Sequence, residues 1–592
     1  MSTQQIRSLF ALTLVAVPIL LTDTAECGES KRQAGRHLQS VRHFANTVLE
    51  HGRDVYGDIR SPLFVDGLHV ETMKPATWKW LNDEEWVLCN FASQQSLMRL
   101  LDGLTALTGE KKYRREAENA ARYALEKLRA PSGYLYWGGH TAWDLKADLP
   151  VGTWYGRGSP DNPRFNHELK VHQPYFELMW RVNPDAARRA AEMVWAGHIL
   201  DWSRLDYNRH AKTSDAVEPQ WDHDFIEDIE VPFPAKGNNL SFCCVTPPLI
   251  RSGTALATLG QDDKALTWTR RLVHRWQQGR HSKTGLCGSL LSYRTKDRAQ
   301  EAFAHIHPNI CEAKIASQGS RYNMLPLAQM QAAGSLLARG GKYAEVGQEF
   351  VNWASEDLKT LAKYCYEEKQ GHFVVKLTDG TPLNWQQAKP GYFIAANFAP
   401  SKPNALTFWA YALAYRMTKD EVHWRMLRKL GTQLGLGDLG DPHTEKRKLR
   451  PGMKSGSWMM IYALLELQKA TDDGAFLKLA CHIGDQLLAM QSKTGLFPRP
   501  EKTYPKDGTA VPHAIVPGTE HPAREYACTG DEIPLALLHL AAATENKSLS
   551  LPQPMLDNHY FHCPYHAPLA DYQQKRDDTR TYDWLVFYGS LD

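Results

Sequence analysis

The sequence has almost no charge imbalance: 69 Lys and Arg against 66 Asp and Glu leave +3 over 592 residues. A balance so even excludes a nucleic-acid partner held by general basicity, so an anion must be bound by a local cluster. After the N-terminus no uninterrupted apolar run reaches the ~18 residues that a spanning helix needs, which excludes an integral membrane segment once that end is removed. Cysteine is sparse, ten in all and nine of them beyond Cys27. Adjacent Cys243 and Cys244 are badly placed to bridge each other, and most of the set reads as small buried apolar residues. With 43% hydrophobic and 23% charged residues the chain is neither disordered nor fibrous. Its 18 tryptophans suit core packing or the stacking of sugar rings.

What is present begins with a pattern of export. Arg7 supplies a positive start and SLFALTLVAVPILL a short apolar stretch, with Ala25, Glu26 and Cys27 the best cleavage match. Glu26 before Cys27 speaks against a lipid-modified cysteine. The expectation is a removable signal over residues 1–28, a periplasmic or secreted product, and one catalytic domain over residues 29–592. Inside it, YRREAENAARYALEKLRAPSGYLYW, DKALTWTRRLVHRWQQGRHSKTGLCG, VGQEFVNWASEDLKTLAKYCYEEKQGHF and GAFLKLACHIGDQLLAMQSKTGLFP share one grammar. Each sets apolar residues at helical spacing, then a polar turn, then a glycine (Gly133, Gly285, Gly371, Gly495). That glycine is expected to stop the helix by taking a positive φ. Between these units lie further helix candidates, SQQSLMRLLDGLTALTG, PLIRSGTALATLG, NALTFWAYALAYRMT and GSWMMIYALLELQKATDD. Repeated antiparallel helix pairs make one curved or closed all-α stack, not several domains. SPLFVDGLHV and HFVVKL read as small strands at its rim, and residues 549–592 as an irregular closing segment.

The chemistry concentrates in YWGGH, HELKVHQPYFELMW and LDYNRHA, which spread His140, Glu168, Arg209 and His210 along helix-patterned chain. Two imidazoles and a carboxylate could hold a divalent ion and leave positions open for a substrate carboxylate, with Arg209 alongside. Plainer readings exist for each. His140 could be a turn residue, Glu168 and His172 an ordinary pair on one helix face, and Arg209 with His210 a solvated helix end. HELKVH is not a metallopeptidase helix, because its histidines are five apart and cannot share a face as an i, i+4 pair does. WDHDFIEDIE gathers Asp222, Asp224, Glu227 and Asp228, enough for the acid and base of a glycoside hydrolase, although acidic runs are usually solvated loops.

Taken in order, YWGGH, HELKVHQPYFELMW and HILDWSRLDYNRHA, continued by FPAKGNNLSFCCV and DDKALTWTRRLVHRW, resemble the family 2 polysaccharide lyases, best over residues 50–310. The resemblance implies an (α/α)7 barrel that cleaves polygalacturonate by metal-assisted β-elimination. It implies that His140, Glu168 and His210 bind the metal, that Arg209 removes the proton, and that Arg298 in KDRAQ is a second cleft arginine. His172 and Lys236 would meet the substrate, an acidic polysaccharide or oligogalacturonide. The chain departs from the family pattern in the stretch DLKADLPVGTWYGRGSPDNPRFN and in a longer C-terminus.

The proton α to a uronate carboxylate is hard to remove, because an ionised carboxylate resists further negative charge. A cation on that carboxylate and a cationic side chain stabilise the dianion that develops. Arginine is an awkward base, being normally protonated; positive charge nearby would ease its deprotonation and imply an alkaline optimum. The alternative gives Arg209 charge stabilisation alone and leaves the base to metal-bound hydroxide or a tyrosine. The nitrogen-rich ligand set suits a divalent transition metal, manganese first, with nickel, cobalt, iron or zinc compatible, in preference to calcium. A hydrolase with paired carboxylates and a barrel that binds oligosaccharides without turnover remain as alternatives.

Overall fold

Helices apolar on every side alternate along the chain with amphipathic ones, and that alternation builds the architecture. The computed structural model describes residues 17–79, 85–138, 141–152, 156–157, 166–169, 173–214, 216–237, 240–294, 297–317, 322–389, 398–443, 447–498, 526–547 and 549–555. Among these, six consecutive helix pairs are α2 (Gln95–Thr108) with α3 (Lys111–Lys127), α4 (Phe176–Val182) with α5 (Pro184–Ala196), α6 (Thr246–Thr258) with α7 (Asp263–Gln278), α9 (Asn323–Arg339) with α10 (Gly341–Tyr364), α11 (Ala405–Thr418) with α12 (Glu421–Gln433), and α13 (Trp458–Thr471) with α14 (Gly474–Leu488). The first helix, α1 (Val17–His51), packs on the last, α15 (Ile533–Thr544), and makes the seventh pair. The short α8 (Arg298–Phe303) stands apart from the ring.

Helices α2, α4 and α6, with α9, α11, α13 and α15, form the inner ring. In α11, residues Ala405 to Tyr415 are all buried, whereas α3 buries only a stripe of Tyr113, Ala117, Ala120, Ala121, Ala124 and Leu125. The ring runs α4, α6, α9, α11, α13, α15 and α2 by direct packing, and Gln95 and Asp102 of α2 join it to α4. There Gln95 Oε1 accepts from Tyr175 N at 2.8 Å and Asp102 Oδ2 accepts from Tyr175 Oη at 2.5 Å. This is the expected all-α, (α/α)7 toroid.

Connections from inner to outer helices are short and double as caps. Asn183, Asp262, Asp420 and Asp473 each accept a backbone N–H from the first turn of the helix they precede. Connections from outer to inner helices are long, so one face of the ring, at the N-terminal ends of the inner helices, carries nearly all the loops and small strands. Gly133, Gly285, Gly371 and Gly495 do take positive φ, at 101°, 73°, 67° and 89°. They do not stop the helices, which end earlier at Lys127, Gln278, Tyr364 and Leu488. Each glycine turns the chain within the loop that follows, as where Gly133 N donates to Ala130 O at 2.9 Å. A polar turn between helix and glycine hides this offset in the sequence.

The rim strands are where they were expected. Gly67–His69 of SPLFVDGLHV pairs antiparallel with Tyr526–Cys528, and HFVVKL contributes His372–Phe373 and Lys376–Leu377. Thr141–Asp144, Leu149–Gly152 and Gly156–Arg157, in and beside the departing stretch, complete a five-stranded antiparallel sheet with Thr77–Lys79 and Glu85–Cys89. Residues 549–555 return across the ring. His539 of α15 donates to Pro552 O at 3.1 Å, Gln331 of α9 donates to Pro554 O at 3.0 Å, and a Cβ on Gly103 of α2 would meet Pro552 Cδ at 3.3 Å. Residues 556–592 of the expected closing segment lie outside the described residues, as do residues 1–16 of the expected signal. Helix α1 runs unbroken from Val17 through the expected cleavage point. Cys89, Cys243, Cys287, Cys311, Cys365 and Cys481 are buried, and no described helix is long and apolar enough to cross a membrane.

Burial holds three histidines neutral. His423, 2.7 Å from Ser355 Oγ, is pushed down to about 4, His539 to about 4 and His198 to about 3, each first by desolvation. Because the folded values lie below the unfolded one, the unfolded chain takes up more protons. The stability concerned is full above about pH 6.5 and is lost as pH falls toward the folded values. Asp297, pushed up to about 7 by burial and by Glu312, works in the opposite sense over the same window. Asp148, Glu192 and Asp206 are raised too, but less far than the three histidines are lowered, so calorimetry should show a lower thermal midpoint at about pH 5 than at about pH 7. A midpoint that rises on acidification would contradict this.

Candidate active site

Two short strands on the loop-bearing face, Asn166–Glu168 and His210–Lys212, pair antiparallel with His210 opposite Glu168. Opposed residues in such a pair point to the same face, so the register alone brings a carboxylate and an imidazole together. Glu168 Oε1 lies 3.5 Å from His210 Nε2 and 3.4 Å from Arg209 Nε. Arg209 Nε–H in turn donates to His210 Nε2 at 3.2 Å. Glu168 is fully buried, Arg209 is 14% exposed and His210 33%, so the group is open on one side only. The plainer readings of these residues fail: Glu168 is on a strand and not on a helix face, and Arg209 leads into a strand that His210 opens, where no helix ends.

The donor chemistry fits a metal ion. His210 Nε2 accepts a hydrogen bond and so offers a lone pair. Two donors each about 2.1 Å from one ion at a tetrahedral angle sit about 3.4 Å apart, close to the separation seen here. Among the described residues no group of three His, Cys, Asp or Glu could hold a metal; His140, the third expected ligand, lies outside them, as does His172. The chain on either side of His140 is firmly held. Asn90 brackets Gly138, donating to its O at 2.8 Å and accepting from its N at 3.0 Å, and strand Thr141–Asp144 packs against strand Asn166–Glu168.

The Arg209 strand is anchored from below. Leu169 N donates to Arg209 O at 2.7 Å, and the Phe242 ring lies under the guanidinium, 6.0 Å from its carbon. Asp206, on the preceding strand Asp206–Tyr207, gathers Ser241 Oγ at 2.8 Å, Ser292 Oγ at 3.0 Å and Lys236 N at 2.7 Å, tying it to one connection and to strand Ser292–Tyr293. Its carboxyl is nevertheless raised above its ordinary value, because burial outweighs those bonds. Lys236 itself is exposed. Arg298 begins α8 and forks onto buried Glu312, at 2.5 Å and 2.9 Å. Sequence reasoning missed Asn90, Asp206 and a buried histidine pair described below. WDHDFIEDIE is a surface loop, with Asp222 on Lys264 at 2.7 Å and Glu227 near Arg271 at 3.8 Å.

The sequence pattern of the family described as periplasmic pectate lyase matches residues 61–517, a span that holds every candidate residue above. The chain belongs to that family. It is therefore a polysaccharide lyase, periplasmic or secreted, of a family whose membership implies an acidic polysaccharide substrate. It is similar to the pectate disaccharide-lyase of Dickeya dadantii (strain 3937), with 24% identity over 563 residues, 90% of this chain and 94% of that one. Among solved structures, the cellobiose 2-epimerase of Bacillus thermoamylovorans matches at 13% identity and a TM-score of 0.35, over 68% of this chain and 89% of that one. A family 76 glycoside hydrolase from a bovine Bacteroides thetaiotaomicron strain matches at 10% identity and a TM-score of 0.38, over 86% of this chain and 77% of that one.

Proposed function

We propose that this lyase cleaves polygalacturonate and its oligosaccharides by metal-dependent β-elimination, leaving 4,5-unsaturated ends. What carries the reading is that Glu168 Oε1, His210 Nε2 and Arg209 Nε all lie within 3.5 Å of one another across one strand pair. Glu168 and His210 hold the ion, with His140 as the third ligand. Bound there, a divalent transition metal, manganese first, supplies a Lewis acid for the substrate carboxylate.

The chain's own groups do the rest. Arg209, beside both Glu168 and His210, either takes the C5 proton or stabilises the negative charge that its loss creates. The electron pair of the C5–H bond becomes the C4=C5 double bond as the C4–O bond breaks, and the departing oxygen takes up a proton to become a hydroxyl. Arg298, held on Glu312, is assigned as the second cationic group, and His172 and Lys236 as contacts to neighbouring uronates. The exposed acids of the 221–230 loop are already turned toward α7, which favours the lyase reading over a hydrolase.

The test is to incubate the protein with polygalacturonate, alginate and glucuronan in turn, with and without chelator. Elimination yields products one water lighter than hydrolysis and creates a conjugated, ultraviolet-absorbing end. Chelation is expected to abolish turnover on polygalacturonate, and Mn²⁺ to restore it better than Ca²⁺. Restoration by Ca²⁺ alone would remove this ligand set, and hydrolysis products would remove the reaction class.

A further inference from the structure

Behind the strand pair lies a buried cluster of three rings that none of the assigned roles uses. His198 Nδ1 is 2.8 Å from the carbonyl oxygen of Asn208, and His198 Nε2 is 2.8 Å from His167 Nδ1. A carbonyl can only accept, so His198 Nδ1 carries the proton. The His198 side chain is fully buried, and an imidazole with its one proton on Nδ1 leaves Nε2 as an acceptor. The proton between the two rings therefore sits on His167 Nδ1, and the relay has a single direction, from His167 through His198 to Asn208. Tyr134 completes the cluster. Its ring stacks on His167, with centroids 4.5 Å apart and planes at 19°, and meets His198 edge-on at 5.8 Å. Gly197 leaves room for it, since a Cβ there would come within 2.1 Å of the tyrosine oxygen. That hydroxyl makes no hydrogen bond among the described residues, so the ring supplies the contacts.

Each member adjoins one piece of the candidate site. His167 precedes Glu168 and, by strand alternation, turns to the opposite face. Asn208 precedes Arg209, and its side chain accepts from His210 N at 3.2 Å. Tyr134 opens the loop that Asn90 clamps at Gly138. We propose that Tyr134, His167 and His198 are positioning residues for the lyase reaction, a hydrogen-bonded and stacked wedge that fixes the spacing of Glu168 from Arg209 and His210. The inference rests on the metal-dependent reading above. An apolar core would fill the same space, but apolar contacts tolerate sliding; two hydrogen bonds with one allowed polarity do not. The role is thus to hold separations of a few ångströms constant while the open side of the site takes up substrate.

The experiment compares His198→Leu, Tyr134→Leu and Tyr134→Phe with the full-length protein. The measurements are kcat and KM on polygalacturonate, Mn²⁺ affinity of the metal-stripped protein by calorimetry, and the thermal midpoint. His198→Leu and Tyr134→Leu are expected to lose about tenfold or more in kcat and in Mn²⁺ affinity, at assay temperatures well below their midpoints, with KM within about twofold. Tyr134→Phe should restore both, because only the ring is used. Wild-type kcat and Mn²⁺ affinity in a folded His198→Leu protein would overturn the proposal whatever its midpoint. Should that variant fail to fold, His198→Met replaces it: it keeps a weak acceptor toward His167 and has no donor for Asn208, and wild-type values in it overturn the proposal equally. A wild-type protein indifferent to Mn²⁺ and chelator would sink the metal reading alone, and kcat of the variants would still decide the positioning role.

Discussion

Arg209→Ala should lower kcat on polygalacturonate by at least about two orders of magnitude, the range typical of a lost general base or charge stabiliser. Its metal content should match or exceed that of the wild type, because the Nε–H that donates to His210 Nε2 is gone and no longer competes for that lone pair. Arg209→Lys separates the two roles. Lysine keeps the positive charge, loses the planar fork and gives up its proton more readily, so partial activity with a pH profile moved toward neutrality marks Arg209 as the proton acceptor. Partial activity with the original profile marks it as a charge stabiliser. Substantial activity in Arg209→Ala would exclude both roles and turn the search to tyrosines around the site.

Glu168→Gln and His210→Ala should each reduce metal affinity by at least about a hundredfold, above the 10–100-fold that outer partners of ligands typically cost, and reduce turnover in step. Far-ultraviolet circular dichroism should stay that of the wild type, since both residues serve a two-stranded ribbon on the loop face and not the ring. Glutamine keeps the volume of the buried Glu168 side chain, so lost packing cannot account for the result. Elemental analysis is the decisive measurement: metal retained at the wild-type level in both variants would place the ligands elsewhere.

The ring was legible because its signal is redundant. Inner helices such as α11, α13 and α15 carry apolar residues all round, outer ones such as α3 and α7 a stripe, and either pattern survives local noise. The offset of Gly133 and its equivalents from the helix ends was not legible, since a polar turn looks the same whether it belongs to the last helical turn or to the loop. Glu168 shows the same limit at the site. The spacing in HELKVH permits a helix face or a strand equally, and only the pairing with His210 settles which face the carboxylate takes. His167 and His198 open the segments HELKVHQPYFELMW and HILDWSRLDYNRHA, yet neither segment shows that the two meet. Their meaning lies in a contact between residues 31 apart in sequence. Asp206 was hidden in the same way, its partners lying on two segments at least 30 residues further along the chain.

The seam between α1 and α15 has a consequence for how the molecule is assembled. Strand Gly67–His69 waits for Tyr526–Cys528, and the inner face of α2 waits for α15, so the first-made wall is left uncovered until the far end of the chain arrives. Until then α2 and α13 present apolar flanks that in the finished toroid face a neighbour. Such distant closure makes for slow maturation and for intermediates prone to stick to one another. A nascent chain stopped before Tyr526 can form individual helix pairs but not the circle. Its exposed flanks make it a client for chaperones, and a protease that acts before closure would find its easiest targets among the long loops that later carry the active site.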